Sequence, residues 1–145
     1  MIYFDTSFLT PLVRPEPTSG AVAEFLQRPD ISNLTTSQWT RAEFSSLIAR
    51  DVRMRVTEAV AATRAEVRFE EVLASSFALV MPELEDFGLC KTYLQRYDTR
   101  LRAGDALHLA IAANNHAETI YTLDERMLQA GLLLGLPVSR GIALK

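Results

Sequence analysis

Ile2-Tyr3-Phe4-Asp5-Thr6-Ser7 opens the chain, and the architecture can be read outward from it. Three apolar, β-prone residues stop at an aspartate followed by two hydroxyl residues. A run this short, with no polar alternation, reads as a strand covered on both faces, the kind found in parallel sheets flanked by helices. Residues 119–123, Thr119-Ile120-Tyr121-Thr122-Leu123, form a second run of this kind and also end at an acid, Asp124.

The segments between these two runs alternate in character. Pro11, Pro15 and Pro17 predict an irregular connection, followed by a helix over 20–27 that Pro29 and Asp30 close. Residues 31–36 read as a strand, with Ser37 as N-cap of a helix carrying Trp39, Ala42, Phe44, Leu47 and Ile48 to about Asp51. A basic connector, Arg50-Asp51-Val52-Arg53-Met54-Arg55, leads to an amphipathic helix over 57–74. Residues 77–81 form a third strand; Pro82 stops it and suits the first turn of a helix ending near Tyr97. The helix over 103–116 is apolar enough to be almost wholly buried. After the strand at 119–123 come a short helix over 125–130 and a fifth strand at 137–139, whose leading proline puts it at an edge. This order predicts one α/β domain over 1–145, with a mainly parallel five-stranded sheet flanked by helices.

Composition agrees with a globular domain: 145 residues, 48% hydrophobic and 23% charged, are enough for a core without disulfides or structural metal. The single cysteine, Cys90, excludes an internal disulfide and a cysteine-based zinc site, and fits a reducing cytoplasm. No signal peptide or membrane-length apolar run is evident, so a soluble, cytoplasmic protein is expected. A net charge of −3 argues against a passive nucleic-acid binder that works by neutralising phosphates. It leaves open an enzyme that meets phosphate through bound cations.

The acids carry the functional signal. Asp5 and Asp124 fall at the carboxyl ends of strands, the edge where doubly wound sheets bind ligands. Crossover helices begin at that edge, so Asp105 in the first turn of its helix and Glu43 in the second turn of its own point there too. Glu43 has Trp39 and Leu47 four residues to either side and so lies on an apolar stripe, where a carboxylate needs a partner or a cation. Asp5, Asp105 and Asp124 also suit plain helix capping, and Glu43 can snorkel from its stripe. Four acids at one edge would repel one another unless a cation were present. Carboxylates without a histidine or cysteine cluster favour magnesium or manganese, ions that activate water and stabilise charge on a phosphodiester.

These segments resemble the PIN-domain family. Ile2-Tyr3-Phe4-Asp5-Thr6-Ser7 looks like its opening, and Thr40-Arg41-Ala42-Glu43-Phe44 matches its second acid. Leu101-Arg102-Ala103-Gly104-Asp105-Ala106-Leu107-His108-Leu109-Ala110 is similar to the signature around its third, and Thr122-Leu123-Asp124 resembles its fourth. The resemblance covers the whole chain. Small standalone PIN proteins resemble VapC toxins, which implies a Mg2+- or Mn2+-dependent endoribonuclease of a type II toxin–antitoxin pair. It also implies an RNA substrate, a homodimer, and a VapB-type antitoxin that covers the active site. Asp5, Glu43, Asp105 and Asp124 would then hold metal directly or through water, with Ser7 and Thr122 orienting ligands or water.

The other residues read more plainly. His108, one helical turn past Asp105, offers a general base but better suits a satisfied core histidine, His116 suits a helix C-terminus, and Cys90 packing. Arg41, Arg50, Arg53, Arg55, Arg64 and Arg68 form either a solvated face, balanced by Glu58, Glu66, Glu70 and Glu71, or a rim that guides RNA towards Glu43. Arg102, just before Asp105, is the candidate for touching a substrate phosphate. Trp39 and Phe44 suit core or dimer contacts. A haloacid-dehalogenase-like phosphatase would want a second aspartate where Ser7 stands, and a lysine where only Lys91 and Lys145 are available. A receiver domain would want an acid after the third strand, which ends instead at Met81-Pro82. A catalytically silent PIN-like interaction module would not need the intact acid set.

Overall fold

Side chains along β1 (Ile2–Phe4) point alternately to opposite faces and divide the hydrophobic interior in two. Tyr3 enters a cluster with Cys90, Leu109, Ile111, Ile120 and Met127 on one side. Phe4 enters another with Phe8, Phe25, Phe44, Phe69 and Leu73 on the other. Both residues are fully buried. A computed structural model describes residues 1–144; Lys145 lies outside the described residues.

The chain continues through α1 (Thr6–Leu9), a 3-10 turn at Thr10–Leu12, α2 (Ser19–Leu26) and β2 (Leu34–Ser37). Next come α3 (Gln38–Arg53), α4 (Ala59–Ser76), β3 (Ala78–Val80) and α5 (Leu84–Leu94). A 3-10 turn at Tyr97–Thr99, α6 (Ala103–Asn114), β4 (Thr119–Tyr121), α7 (Glu125–Leu133) and β5 (Val138–Ser139) complete it. The strand order is β3-β2-β1-β4-β5 and all four pairings are parallel. Tyr3 lies beside Ile120 and Phe4 beside Tyr121, so neighbouring strands send side chains of like kind to each core. The α/β reading with a parallel five-stranded sheet is thus observed, and β5 lies at an edge as its proline requires.

Element ends differ from the sequence expectations for local reasons. The first part of the expected irregular connection is helical, because Asp5 accepts from the Phe8 N–H and caps α1, and Pro11 suits the start of the 3-10 turn. β2 starts at Leu34 rather than 31: Ile31 N–H donates to Arg28 in a turn, and Asn33 takes a left-handed backbone (φ 55°). Pro82 precedes the first turn of α5 instead of occupying it, and Glu83 with Asp86 forms a capping box. Ser37 stands at the N-cap position of α3 but makes no capping bond; its hydroxyl accepts from Tyr3. α6 ends at Asn114, and His116 beyond it is left-handed (φ 55°).

α3 and α4 pack as a hairpin around a stacked pair, Phe44 and Phe69, with ring centroids 3.8 Å apart. On α6 every residue from Ala106 to Ala112 is buried. Among the described residues, no helix is long and apolar enough to cross a membrane.

Candidate active site

From β1 the chain steps to β2 and β3 in one direction, then returns to place β4 and β5 on the other side of β1. The topological switch point therefore lies between β1 and β4, where the crossover helices diverge and leave a crevice at the carboxyl ends. Asp5 follows β1 and Asp124 follows shortly after β4, so two of the sequence-selected acids border that crevice.

Asp5 is buried and its carboxylate ties the two strand ends together. Ser7 Oγ–H is shared between its two oxygens (2.8 and 2.9 Å), Thr122 Oγ1 donates at 2.8 Å, and Phe8 N–H at 3.1 Å. Ser7 Oγ in turn accepts from Leu123 N–H (2.9 Å) and Asp124 N–H (3.2 Å), and Thr122 Oγ1 accepts from Asp124 N–H (3.0 Å). Burial pushes the Asp5 carboxyl above its ordinary value, opposed by the charge of His108 and by these hydrogen bonds. Ser7 and Thr122 thus orient an acid.

Glu43 stands one turn along α3 from Thr36–Thr40, a buried hydroxyl pair at the foot of the helix (2.7 Å). Its Oε1 accepts from Thr6 Oγ1 at 2.6 Å and from Nε2–H of His108. The other ring nitrogen, Nδ1, is hydrogen-bonded to the Tyr3 hydroxyl at 2.8 Å, and that hydroxyl donates onward to Ser37 Oγ at 3.1 Å. The imidazole thus bridges the Tyr3 hydroxyl and the Glu43 carboxylate. Burial would lower the His108 pKa, but the bond to Glu43 and the charges of Glu43, Asp5 and Asp105 raise it overall. Burial would likewise raise Glu43, yet His108, Thr6 and the nearby indole of Trp39 bring it below its ordinary value. That indole N–H is buried and, among the described residues, meets no partner in ordinary hydrogen-bond geometry.

Asp105 is the third residue of α6 and Asp124 caps α7 through the Met127 N–H at 2.8 Å. Glu43, Asp105 and Asp124 line a single cleft together with Trp39, Gly104, Arg50, Arg53 and Arg102. Burial raises the Asp105 carboxyl to about 6, helped by the negative charges of Asp124, Asp5 and Glu43. The capping reading is therefore met by Asp5 and Asp124. Asp105 caps nothing and forms no ion pair among the described residues.

The six-arginine cluster divides. Arg41 pairs with Glu70, and Arg64 and Arg68 line a separate groove with Val13 and Ala62. Arg50 and Arg53 reach the acidic cleft, where Arg102 joins them from the start of α6. Cys90 is buried, and its thiol donates weakly to the Ala103 carbonyl, as its packing role requires.

The donor set suits a hard cation. Its groups are carboxylate oxygens, and one of them carries a raised pKa caused partly by its own neighbours, a strain that a divalent ion would relieve. Among the described residues no three acidic, histidine or cysteine side chains already surround a cation position, so the four acids are neighbours rather than a closed set. The oxygens of Asp5 already accept from Ser7, Thr122 and Phe8.

Three residues that meet the site are not placed there by the sequence. His108 reads as a core histidine, and the structure places it both in the core and against Glu43. Thr6 and Gly104 are not singled out by the sequence. The spacing of His108, one helical turn after Asp105, is the available signal, since residues three apart share a helix face.

The PIN domain model matches residues 2–132 of the chain. No curated protein matches at the level of sequence. Among solved structures, the chain is similar to VapC20 of Mycobacterium tuberculosis, described as a toxin that cleaves the sarcin–ricin loop: TM-score 0.72 and 20% identity over 90% of this chain and 95% of that one. It is also similar to FitAcB of Neisseria gonorrhoeae, with TM-score 0.66 and 19% identity over 97% and 98% of the two chains. FitAB bound to a DNA fragment gives TM-score 0.73 and 19% identity over 100% and 98%. At these identities the likeness is one of fold.

Proposed function

This chain belongs to the PIN-domain family, and on that premise we propose that it is a metal-dependent endoribonuclease, the toxin of a type II toxin–antitoxin pair. The observation that carries the reading is the cleft in which Glu43, Asp105 and Asp124 stand beside Arg50, Arg53 and Arg102, at the strand ends bordered by Asp5. Negative groups alone would repel RNA, and arginines alone would bind it without cutting. Together they can hold a phosphodiester against a cation site.

Each side chain has a task in this reading. Glu43, Asp105 and Asp124 hold Mg2+ or Mn2+, and Asp5 contributes directly or through water while Ser7 and Thr122 keep its carboxylate in place. The ion, when bound, activates water and neutralises charge gathering on the phosphate. Arg102, Arg50 and Arg53 make no ion pair among the described residues, so their guanidinium groups remain available for the phosphates on either side.

The likeness to toxin structures, together with the exposed apolar side chains Met81, Leu84 and Phe87, supports a homodimer and a VapB-type antitoxin that covers the cleft. A reducing cytoplasm suits the free Cys90.

The test is cleavage of a mixed RNA pool by purified protein with Mg2+, with Mn2+ and with chelator, beside Asp105→Asn. Metal-dependent cutting that the variant loses is expected. Folded protein that neither cuts nor binds a divalent ion would mean that the acids are structural, and the chain a silent interaction module.

A further inference from the structure

Behind Glu43 lies a buried polar chain, Ser37–Tyr3–His108–Glu43, that crosses from β2 through β1 and α6 to α3. Tyr3 is 0% and His108 1% exposed. Burying a polar imidazole carries a desolvation cost that an apolar residue of similar size at 108 would not. Packing alone therefore does not explain an imidazole there.

Its geometry does. Tyr3 fixes one ring nitrogen, so the other is presented to a single oxygen of Glu43, Oε1. Thr6 donates to that same oxygen at 2.6 Å. Among the described residues the second oxygen, Oε2, accepts no hydrogen bond of ordinary geometry; it lies near the Trp39 indole and beside Gly104, whose missing side chain leaves it room on the cleft side. A glutamate has three side-chain torsions, and unclamped it would sample many positions of its carboxylate.

We infer that His108, held by Tyr3, is the positioning residue for Glu43: it pins Oε1 inward and so presents Oε2 to the cleft. This rests on the reading of Glu43 as a cation-holding residue. Partners behind a ligating carboxylate set the ligand's orientation, and losing one typically weakens metal binding about 10- to 100-fold.

The experiment is calorimetric titration of Mn2+ into metal-free protein, with thermal melting of each variant as a folding check. His108→Leu is expected to lower the melting temperature, since Glu43 and the Tyr3 hydroxyl lose their buried partner, and to lose about 10-fold or more in Mn2+ affinity. His108→Gln, which keeps a donor, should regain most of that loss, and Tyr3→Phe should show a smaller loss. If His108→Leu binds Mn2+ like the parent while Glu43→Gln binds weakly, the positioning role is wrong and the cation site stands. If Glu43→Gln also binds like the parent, both fall together. Equal losses in His108→Leu and His108→Gln, with Tyr3→Phe unchanged, would mark general disruption and overturn the inference. Should His108→Leu fail to fold, Tyr3→Phe decides: weakened binding supports the role, and unchanged binding overturns it.

Discussion

Gly104 leaves room for Glu43: a Cβ built on the glycine would stand 2.8 Å from the carboxylate Oε2, closer than the two atoms can approach. The glycine lies in the first turn of α6 and the glutamate on α3, so a side chain on the one would displace the carboxylate of the other.

Gly104→Ala should separate stability from metal binding. Alanine favours a helix over glycine by up to about 1 kcal/mol, so the fold is retained. Glu43 must then move, although Thr6 and His108 hold its other oxygen. We expect a melting temperature within a few degrees of the parent and a loss of about 10-fold in Mn2+ affinity, read by calorimetry. Unchanged affinity would show that the Glu43 carboxylate is free to adjust.

Asp105→Asn should stabilise the metal-free protein at neutral pH. The folded carboxyl titrates at about 6, above its ordinary value of 3.8. Its protonated form is thus favoured by folding: the contribution is fully present below 3.8 and is lost progressively as pH rises to about 6. Allowing for the partial exposure of the group, the carboxylate costs about 1–2 kcal/mol at pH 7. Melting with chelator at pH 4 and pH 7 checks this: the gain should appear at pH 7 and vanish at pH 4. A gain of equal size at both would exclude the carboxylate charge as its cause.

Asp5→Asn tests whether the buried acid belongs to the cation site. A ligand at about 100 times its Kd stabilises the fold by about 2.7 kcal/mol, which is a rise of several degrees in melting temperature for a domain of this size. The parent should show that rise with Mn2+ and the variant none. A full rise in Asp5→Asn would confine Asp5 to capping α1 and tying β1 to β4.

Arg50→Ala, Arg53→Ala and Arg102→Ala should each flatten the salt dependence of RNA binding. For a single strand, every phosphate that the protein no longer neutralises takes about 0.7 from the slope of log K against log salt. Measured on a nuclease-silent Asp105→Asn background, the triple variant should show a slope shallower by about 2. Arg64 lines the separate groove, so Arg64→Ala should leave the slope unchanged. An equal effect from Arg64 would place RNA across the whole helical hairpin.

Much of this was legible in the chain. Ile2-Tyr3-Phe4 and Thr119-Ile120-Tyr121 announced buried strands because side-chain alternation and β-branching are local properties, and the acids after them followed from strand polarity. The α1 turn was hidden behind Pro11, since its stability comes from a side-chain cap on Asp5 rather than from periodicity. Sequence distance could not say that Arg50 and Arg53 line the cleft while Arg41 pairs with Glu70.

The sequence by itself determined the alternation of elements, the burial of α6 and the four acids at strand ends and helix starts. Only the tertiary structure decided that the switch point falls between β1 and β4, and that His108 meets Glu43 across 65 residues of chain. The physical reason is range. Periodicity, capping and charge act over one or two helical turns and are written in consecutive residues. A hydrogen bond between α6 and α3 exists because strand order brings both helices to the same end of the sheet, and that order is set by the packing of the whole core.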